Sequence, residues 1–257
     1  MKTHNETAVK EPSFSESIAK LIAKDQELVT CKKCGVEYLG YPGFPTCDAC
    51  LAVENEERQR LSYQRLIDEE RQRDRDARRR DFEAGWPERH VQSLARMGGA
   101  GLAKAESLFP LVESGAMIIL FGDRGRGKTQ IGTWMANKRL QAGGWAGSYL
   151  KAFDLFQQIK ASWTKEAGFT EKDVCDGYKE ACFLVIDEVH ERSESDWENR
   201  SLRNILDHRY DDCLPTVVIG NWSNLEEVRN GVGASIFDRI TEAGGAVHCN
   251  WSSYRSA

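Results

Sequence analysis

The chain has 257 residues, 29% of them charged and 40% hydrophobic, with a formal net charge of −5. That mix can bury a core, which excludes wholesale disorder. The small acidic excess excludes a histone-like mode of DNA binding, so any nucleic-acid contact is local. The longest apolar runs, near 117–121 and 183–186, are far shorter than a membrane span, and the N-terminus lacks an apolar signal region. A cytoplasmic protein with no membrane partner is expected.

Residues 1–30 are polar apart from a weak amphipathic stretch at 18–29. Four of the eight cysteines then fall together as Cys31-x2-Cys34-x12-Cys47-x2-Cys50. Each C-x-x-C lets two thiolates converge on one ion, and zinc favours a closed tetrahedron of four. An iron–sulfur cluster or unliganded thiols are the alternatives; two disulfides do not suit a reducing cytosol. Bound metal would hold together a module otherwise too small to fold. Tyr38, Tyr41 and Phe44 in its loop either stack on unpaired bases or form its core. The remaining cysteines, Cys175, Cys182, Cys213 and Cys249, read as structural, with Cys182 and Cys249 in apolar strand-like runs.

From 54 to 81 charges alternate in blocks without Gly or Pro, predicting an exposed helix supported by (i, i+4) ion pairs. It is a linker or a partner-binding arm. Gly85 and Pro87 end it. Three regions follow: an N-terminal zinc module (1–50), a charged helical arm (51–85) and an ATPase domain (86–257).

The third region alternates apolar strands with helices. Strands are predicted at 116–121, 148–151, 183–186, 216–219 and 246–250. Helices are predicted at 128–141, 154–163, 196–210, 224–229 and 235–243. Continuous apolar strands alternating with helices predict an α/β fold: a parallel sheet covered on both faces.

Gly122-Asp123-Arg124-Gly125-Arg126-Gly127-Lys128-Thr129 matches G-x-x-x-x-G-K-[ST], with an apolar strand before it and a helix beginning inside it. Such a loop wraps its backbone N–H groups around phosphates. With Gln130 it forms the expected ATP-binding segment: Lys128 reaches the β/γ-phosphates and Thr129 holds Mg²⁺. Asp187 and Glu188 follow a buried strand, where doubly wound sheets place their chemistry. Asp187 is read as the second magnesium residue and Glu188 as the group that orients the attacking water. Asn221, after the next strand, hydrogen-bonds the water or γ-phosphate, or is a turn residue. Arg239, on a short amphipathic helix, faces a neighbouring subunit's nucleotide, or makes a surface salt bridge.

The order GDRGRGKT, FLVIDE, GN, FDRI resembles the AAA+ ATPases of the DnaC/IstB group over roughly two-thirds of the chain, from about Gly85 onward. GWPERHVQSL is similar to their adenine-bracketing segment. The ending HCNWSSYRSA resembles the C-terminal signature of DnaC-type helicase loaders. The resemblance implies an AAA+ core without a helical lid, since the chain stops soon after Arg255. It implies sensor I at Asn221, an arginine finger at Arg239 and a sensor II-like arginine at Arg255. Rings of this kind line their channel with segments that here hold Trp163, Ser195 and Trp197, which would contact single-stranded DNA; the alternative for each tryptophan is a place in the core. The implied function is ATP-dependent loading of a DnaB-type replicative helicase, of phage or prophage type, by a self-associated ring or spiral. An IstB-like transposition accessory ATPase and a zinc-bearing DNA-binding adaptor are the alternatives. The cysteine cluster has no counterpart in the helicase-binding domain of the best-known loaders.

Overall fold

The computed structural model describes residues 26–254 apart from Pro42 and Glu194. Contacts divide the chain into two compact units, Met1–Gln72 and Arg73–Ala257.

In the first unit, β1 (Glu27–Thr30) pairs antiparallel with β2 (Glu37–Gly40), with Leu28 opposite Leu39. Helix α1 (Asp48–Gly85) begins within the second cysteine pair and runs through the boundary between the units. It is longer at both ends than the charge pattern predicts. From Arg73 on, α1 packs with the second unit: Phe82 is buried, Arg78 donates to Gly143 O, and Arg79 donates to Asn137 Oδ1 at 2.9 Å. Trp86 continues this contact, its ring 6.2 Å from Phe183 and nearly parallel to it.

The second unit is built on a five-stranded parallel sheet, in the order β4-β5-β6-β3-β7. The strands are β3 (Met117–Phe121), β4 (Ser148–Lys151), β5 (Leu184–Asp187), β6 (Thr216–Ile219) and β7 (Ala246–His248). β7 ends earlier than predicted, and Phe183, though buried, precedes β5. Side chains alternate between faces with the strand period of two. Ile119, Phe121, Leu184, Ile186 and Val218 join one core. Ile118, Leu120, Val185, Val217 and Ile219 join the other.

The first core is covered by α5 (Ala152–Ala161), α6 (Glu171–Lys179), α7 (Asp196–Asp211), α8 (Leu225–Val232) and α9 (Ala234–Ala243). The second is covered by α3 (Gly99–Glu113) and α4 (Lys128–Gln141), with Trp86 and Phe82. Short α2 (Glu88–Gln92) precedes α3. This is the layered α/β architecture the sequence predicts. Helices α2, α3 and α6 are additional to the helices the sequence pattern predicts. Cys249 is buried as expected, but Cys182 is exposed, because the strand begins two residues after it. Cys213 is also exposed and takes a left-handed backbone, φ 50°.

Arg209 fixes the lower edge of the sheet. It is fully buried and donates to four carbonyls, those of Tyr178, Lys179, Ala181 and Pro215, at 2.7–2.9 Å, and to Thr216 Oγ1 at 2.8 Å. Among the described residues no helix is long and apolar enough to cross a membrane.

Candidate functional site

All five parallel strands deliver their C-terminal ends to one edge, and the loops there line a cavity of about 670 Å³. The loop after β3 supplies residues 124–129 to its wall, β5 supplies Asp187 and Glu188, and β6 leads to Asn221. The structure therefore brings together most residues predicted for nucleotide and magnesium. Arg239 lies outside this group, and Arg255 lies outside the described residues.

The glycines of the loop have steric reasons to be there. Gly127 adopts φ 80°, and a Cβ on it would stand 3.1 Å from the Tyr254 ring. Gly122 adopts φ 129°, and its Cβ would stand 2.6 Å from Cys249 O. Only glycine tolerates both demands cheaply. Helix α4 starts immediately after Gly127, so its N-terminal N–H groups face the cavity.

Lys128 is buried, and burial pushes its ammonium below the usual lysine range. It donates to Gly122 O at 2.6 Å and Asp123 O at 2.8 Å, which hold the cation within the curl of the loop. Thr129 Oγ1 donates to Asp187 Oδ2 at 2.7 Å. A hydroxyl and a carboxylate in direct contact beside a phosphate loop are hard oxygen donors suited to Mg²⁺. Asp187 is fixed twice more: Tyr149 OH donates to Oδ2 at 3.0 Å, and Glu188 N donates to Oδ1 at 2.7 Å.

Glu188 adopts a left-handed backbone, φ 55° and ψ 34°, a conformation costing a non-glycine residue about 1–2 kcal/mol. Lys151 at the end of β4 forms an ion pair with it at 2.9 Å. This contact holds the Lys151 ammonium above its ordinary value. Beyond Glu188, Glu191 pairs with Arg124 of the loop at 2.9 Å. His190 meets Asn221, whose backbone N–H donates to its Nδ1 at 3.2 Å.

Two segments flank the loop. Gln130 Nε2 donates to His90 O at 3.0 Å, and its Oε1 accepts from Ser93 Oγ at 3.0 Å. His90 and Ser93 lie in the segment read as bracketing adenine, and both line the cavity. On the other side, Trp251 Nε1 donates to Arg126 O at 2.8 Å, and Arg126 donates back to Trp251 O. Tyr254 N donates to Gly125 O at 2.9 Å, while its hydroxyl accepts from Gly101 N at 2.9 Å. The C-terminal signature thus grips the loop itself. Arg124 and Arg126 are engaged by Glu191 and by Asp123, the latter at 2.8 Å.

The other predicted residues lie elsewhere. Arg239 on α9 pairs with Asp207 of α7 and stands over the Tyr210 ring. Trp163 and Trp197 meet edge to face, 5.0 Å between centroids. Trp163 is 56% exposed, whereas Trp197 packs partly into the core against Phe156. Lys160 Nζ stands 5.7 Å from the Trp197 ring. The Ser195 hydroxyl caps α7, accepting from Glu198 N at 3.3 Å. No sequence signal marked Tyr149, Lys151 or His190. They belong to the site only because neighbouring strands or loops bring them there.

In the first unit, the ligand atoms of Cys31, Cys34, Cys47 and Cys50 all lie within 4.8 Å of one another. Cys34 Sγ is 3.7 Å from Cys47 Sγ. Zn–S bonds of about 2.3 Å in a tetrahedron put sulfurs about 3.8 Å apart, so the donor set fits zinc. The backbone N–H of Cys47 donates to Cys31 Sγ at 3.4 Å and leads the effects that lower that thiol to about 6. Cys50 is raised to about 12, chiefly by its contact with Cys47. Sulfurs this crowded cannot all ionise without a cation among them. Of the loop aromatics, Tyr38 and Tyr41 are half-buried and Phe44 is exposed, so Phe44 is not a core residue.

Comparison with known proteins bears on the fold and family. The Replicative helicase loader DnaC of Escherichia coli K12 is 29% identical over 142 residues, which cover 55% of this chain and 57% of that protein. The Shigella flexneri protein of the same name matches to the same extent. The chain thus spans little more than half the length of these relatives. A crystal structure of the DnaC helicase loader superimposes with a TM-score of 0.54 at 17% identity, covering 63% of this chain and 99% of that one. The replication initiator DnaA bound to AMPPCP and single-stranded DNA gives 0.50 at 19% identity, covering 62% and 50%. Both likenesses establish the AAA+ fold. Residues 50–257 match the family described as IstB-like ATP binding protein, and with the phosphate loop, the Asp187–Glu188 pair and the sheet order in place, the chain belongs to that family.

Proposed function

We propose that this chain is an ATP-hydrolysing loader of a replicative DNA helicase, acting as a ring or spiral on single-stranded DNA. The observation that carries the reading is the sequence match to proteins named replicative helicase loader. The contacts of Trp251 and Tyr254 with the phosphate loop support it, because they give the loader-like C-terminal signature a physical role.

In this reading the loop's N–H groups and Lys128 bind the ATP phosphates. Thr129 and Asp187 hold the magnesium ion, which when bound neutralises charge on the phosphates. Glu188 orients the attacking water and takes its proton. Asn221 reports on the γ-phosphate. Arg239 leaves Asp207 to reach a neighbouring subunit's nucleotide, and Arg255 serves as a sensor II-like arginine. The four thiolates hold one zinc ion, and the first unit, which ends at Gln72, serves as the partner-binding arm. Trp163, Ser195 and Trp197 form the single-strand contact, with the two tryptophan rings already adjacent.

A second reading, an accessory ATPase of transposition, is favoured by the description of the matched family. Capture by the Glu188→Gln protein, locked with ATP, separates the two. Retention of a purified DnaB-type helicase supports the loader. Retention of a transposase without the helicase supports the accessory ATPase.

A further inference from the structure

We propose that His190 is a positioning residue that fixes the side-chain amide of Asn221 with its NH₂ group toward the nucleotide cavity. The inference deepens the ATPase reading, since it assigns Asn221 a donor's role toward the γ-phosphate or attacking water.

Both nitrogens of the His190 ring face Asn221, and Nε2 also stands 3.5 Å from the Glu191 carboxylate, an acceptor that favours a proton on the same nitrogen. The backbone N–H of Asn221 points at Nδ1, 3.2 Å away. Asn221 Nδ2 stands 2.9 Å from Nε2. A backbone N–H can only donate, so Nδ1 must present its lone pair. A neutral imidazole with an unprotonated Nδ1 carries its proton on Nε2. Burial disfavours a second proton, and the ring's affinity for one is lowered accordingly. The ring also packs against Trp222, 6.3 Å between centroids, which limits its rotation.

An Nε2–H facing an amide NH₂ would set two donors against each other. The two ends of an asparagine amide have nearly the same shape, so hydrogen-bond partners decide its orientation. Turning the amide by half a revolution lets Oδ1 accept from Nε2–H. The NH₂ group is then the end left for the cavity that Asn221 lines. That orientation is the useful one, because phosphate oxygens are acceptors and a carbonyl there would repel them. His190 thereby acts through Asn221, without touching the nucleotide.

The tautomer is directly measurable. Nitrogen-15 histidine spectra of the full chain at neutral pH, assigned by loss of the signal in His190→Gln, should show the Nε2–H form. An Nδ1–H form or a doubly protonated ring would overturn the proposal, whatever the enzymatic activity.

Turnover supplies the second readout. His190→Leu should lower kcat about tenfold with nucleotide affinity unchanged. His190→Gln, whose amide can both accept from the backbone N–H and donate to Oδ1, should restore turnover to within about threefold. In an Asn221→Ala background, His190→Leu should cause no further loss. Normal turnover in His190→Leu, or losses that multiply in the double variant, would refute the positioning role. If the unaltered chain hydrolyses no ATP, the ATPase reading fails, while an Nδ1–H ring would still overturn the orientation claim by itself, because the backbone N–H of Asn221 would then lose its acceptor.

Discussion

Lys151 and Glu188 form an ion pair, Nζ to Oε2 at 2.9 Å, across the C-terminal ends of two adjacent parallel strands. The carboxylate read as the water-orienting group is thus held by a cation from the next strand. Both partners are partly exposed, and such pairs are worth no more than about 1 kcal/mol. Releasing the carboxylate by Lys151→Ala should therefore raise ATP turnover by no more than about fivefold. Glu188→Gln should bind ATP normally and lose hydrolysis, and adding Lys151→Ala to it should change nothing. Single-turnover assays with parallel binding measurements read all three.

For the cysteine cluster, one zinc per chain is expected by elemental analysis of protein purified without chelators. Cys34→Ser should lose the metal and the order of residues near 31–50. The second compact unit begins at Arg73 and holds every proposed nucleotide-contacting residue, so ATP binding should survive. Metal-free protein with this module still folded would contradict the assignment.

Arg209 should behave as a structural residue. Its guanidinium, lowered to about 10 by burial, stays charged at neutral pH. Arg209→Met would strand several buried carbonyls, each costing about 1–3 kcal/mol. A loss of at least about 3 kcal/mol is expected from denaturant unfolding. Arg209→Lys should recover only part, because an ammonium has fewer donors.

The tryptophan pair separates DNA contact from core packing. Changing the exposed Trp163 to Ala should weaken single-strand binding, with only a small loss of stability from its contacts with Trp197 and Glu171. Trp197→Ala should cost both, since its ring also packs on Phe156. Base stacking is worth about 1–3 kcal/mol per base, so affinity for single strands should fall about fivefold or more. Unchanged affinity in folded Trp163→Ala and Trp197→Ala proteins would remove these residues from the DNA surface.

The parts of the site legible in the sequence are those written within one segment. The phosphate loop needs glycines and a lysine at fixed spacing between a strand and a helix. The Asp187–Glu188 pair needs only a buried strand before it. The cysteines announce themselves by repeated short spacing. What stayed hidden depends on contacts between distant segments. Arg209 reads as one charge among several on α7, yet it is fully buried. Lys151, Tyr149 and His190 carry no motif and acquire meaning only through strand order and loop packing. Helix α3 was masked by its glycines and by Pro110, although Ala105, Leu108 and Val112 form a buried stripe at helical spacing. Cys182 looked like part of a buried strand, but β5 starts only at Leu184.

In the proposed function, ATP turnover at this site transfers a helicase to single-stranded DNA. The most direct measurement mixes the full chain, a purified DnaB-type hexamer and circular single-stranded DNA, which offers no end to thread, and counts topologically linked helicase. Loading is expected with ATP and the unaltered chain, and none with the Lys128→Ala protein. Equal loading with Lys128→Ala, or none with the unaltered chain while it retains ATPase activity, would contradict the proposed function.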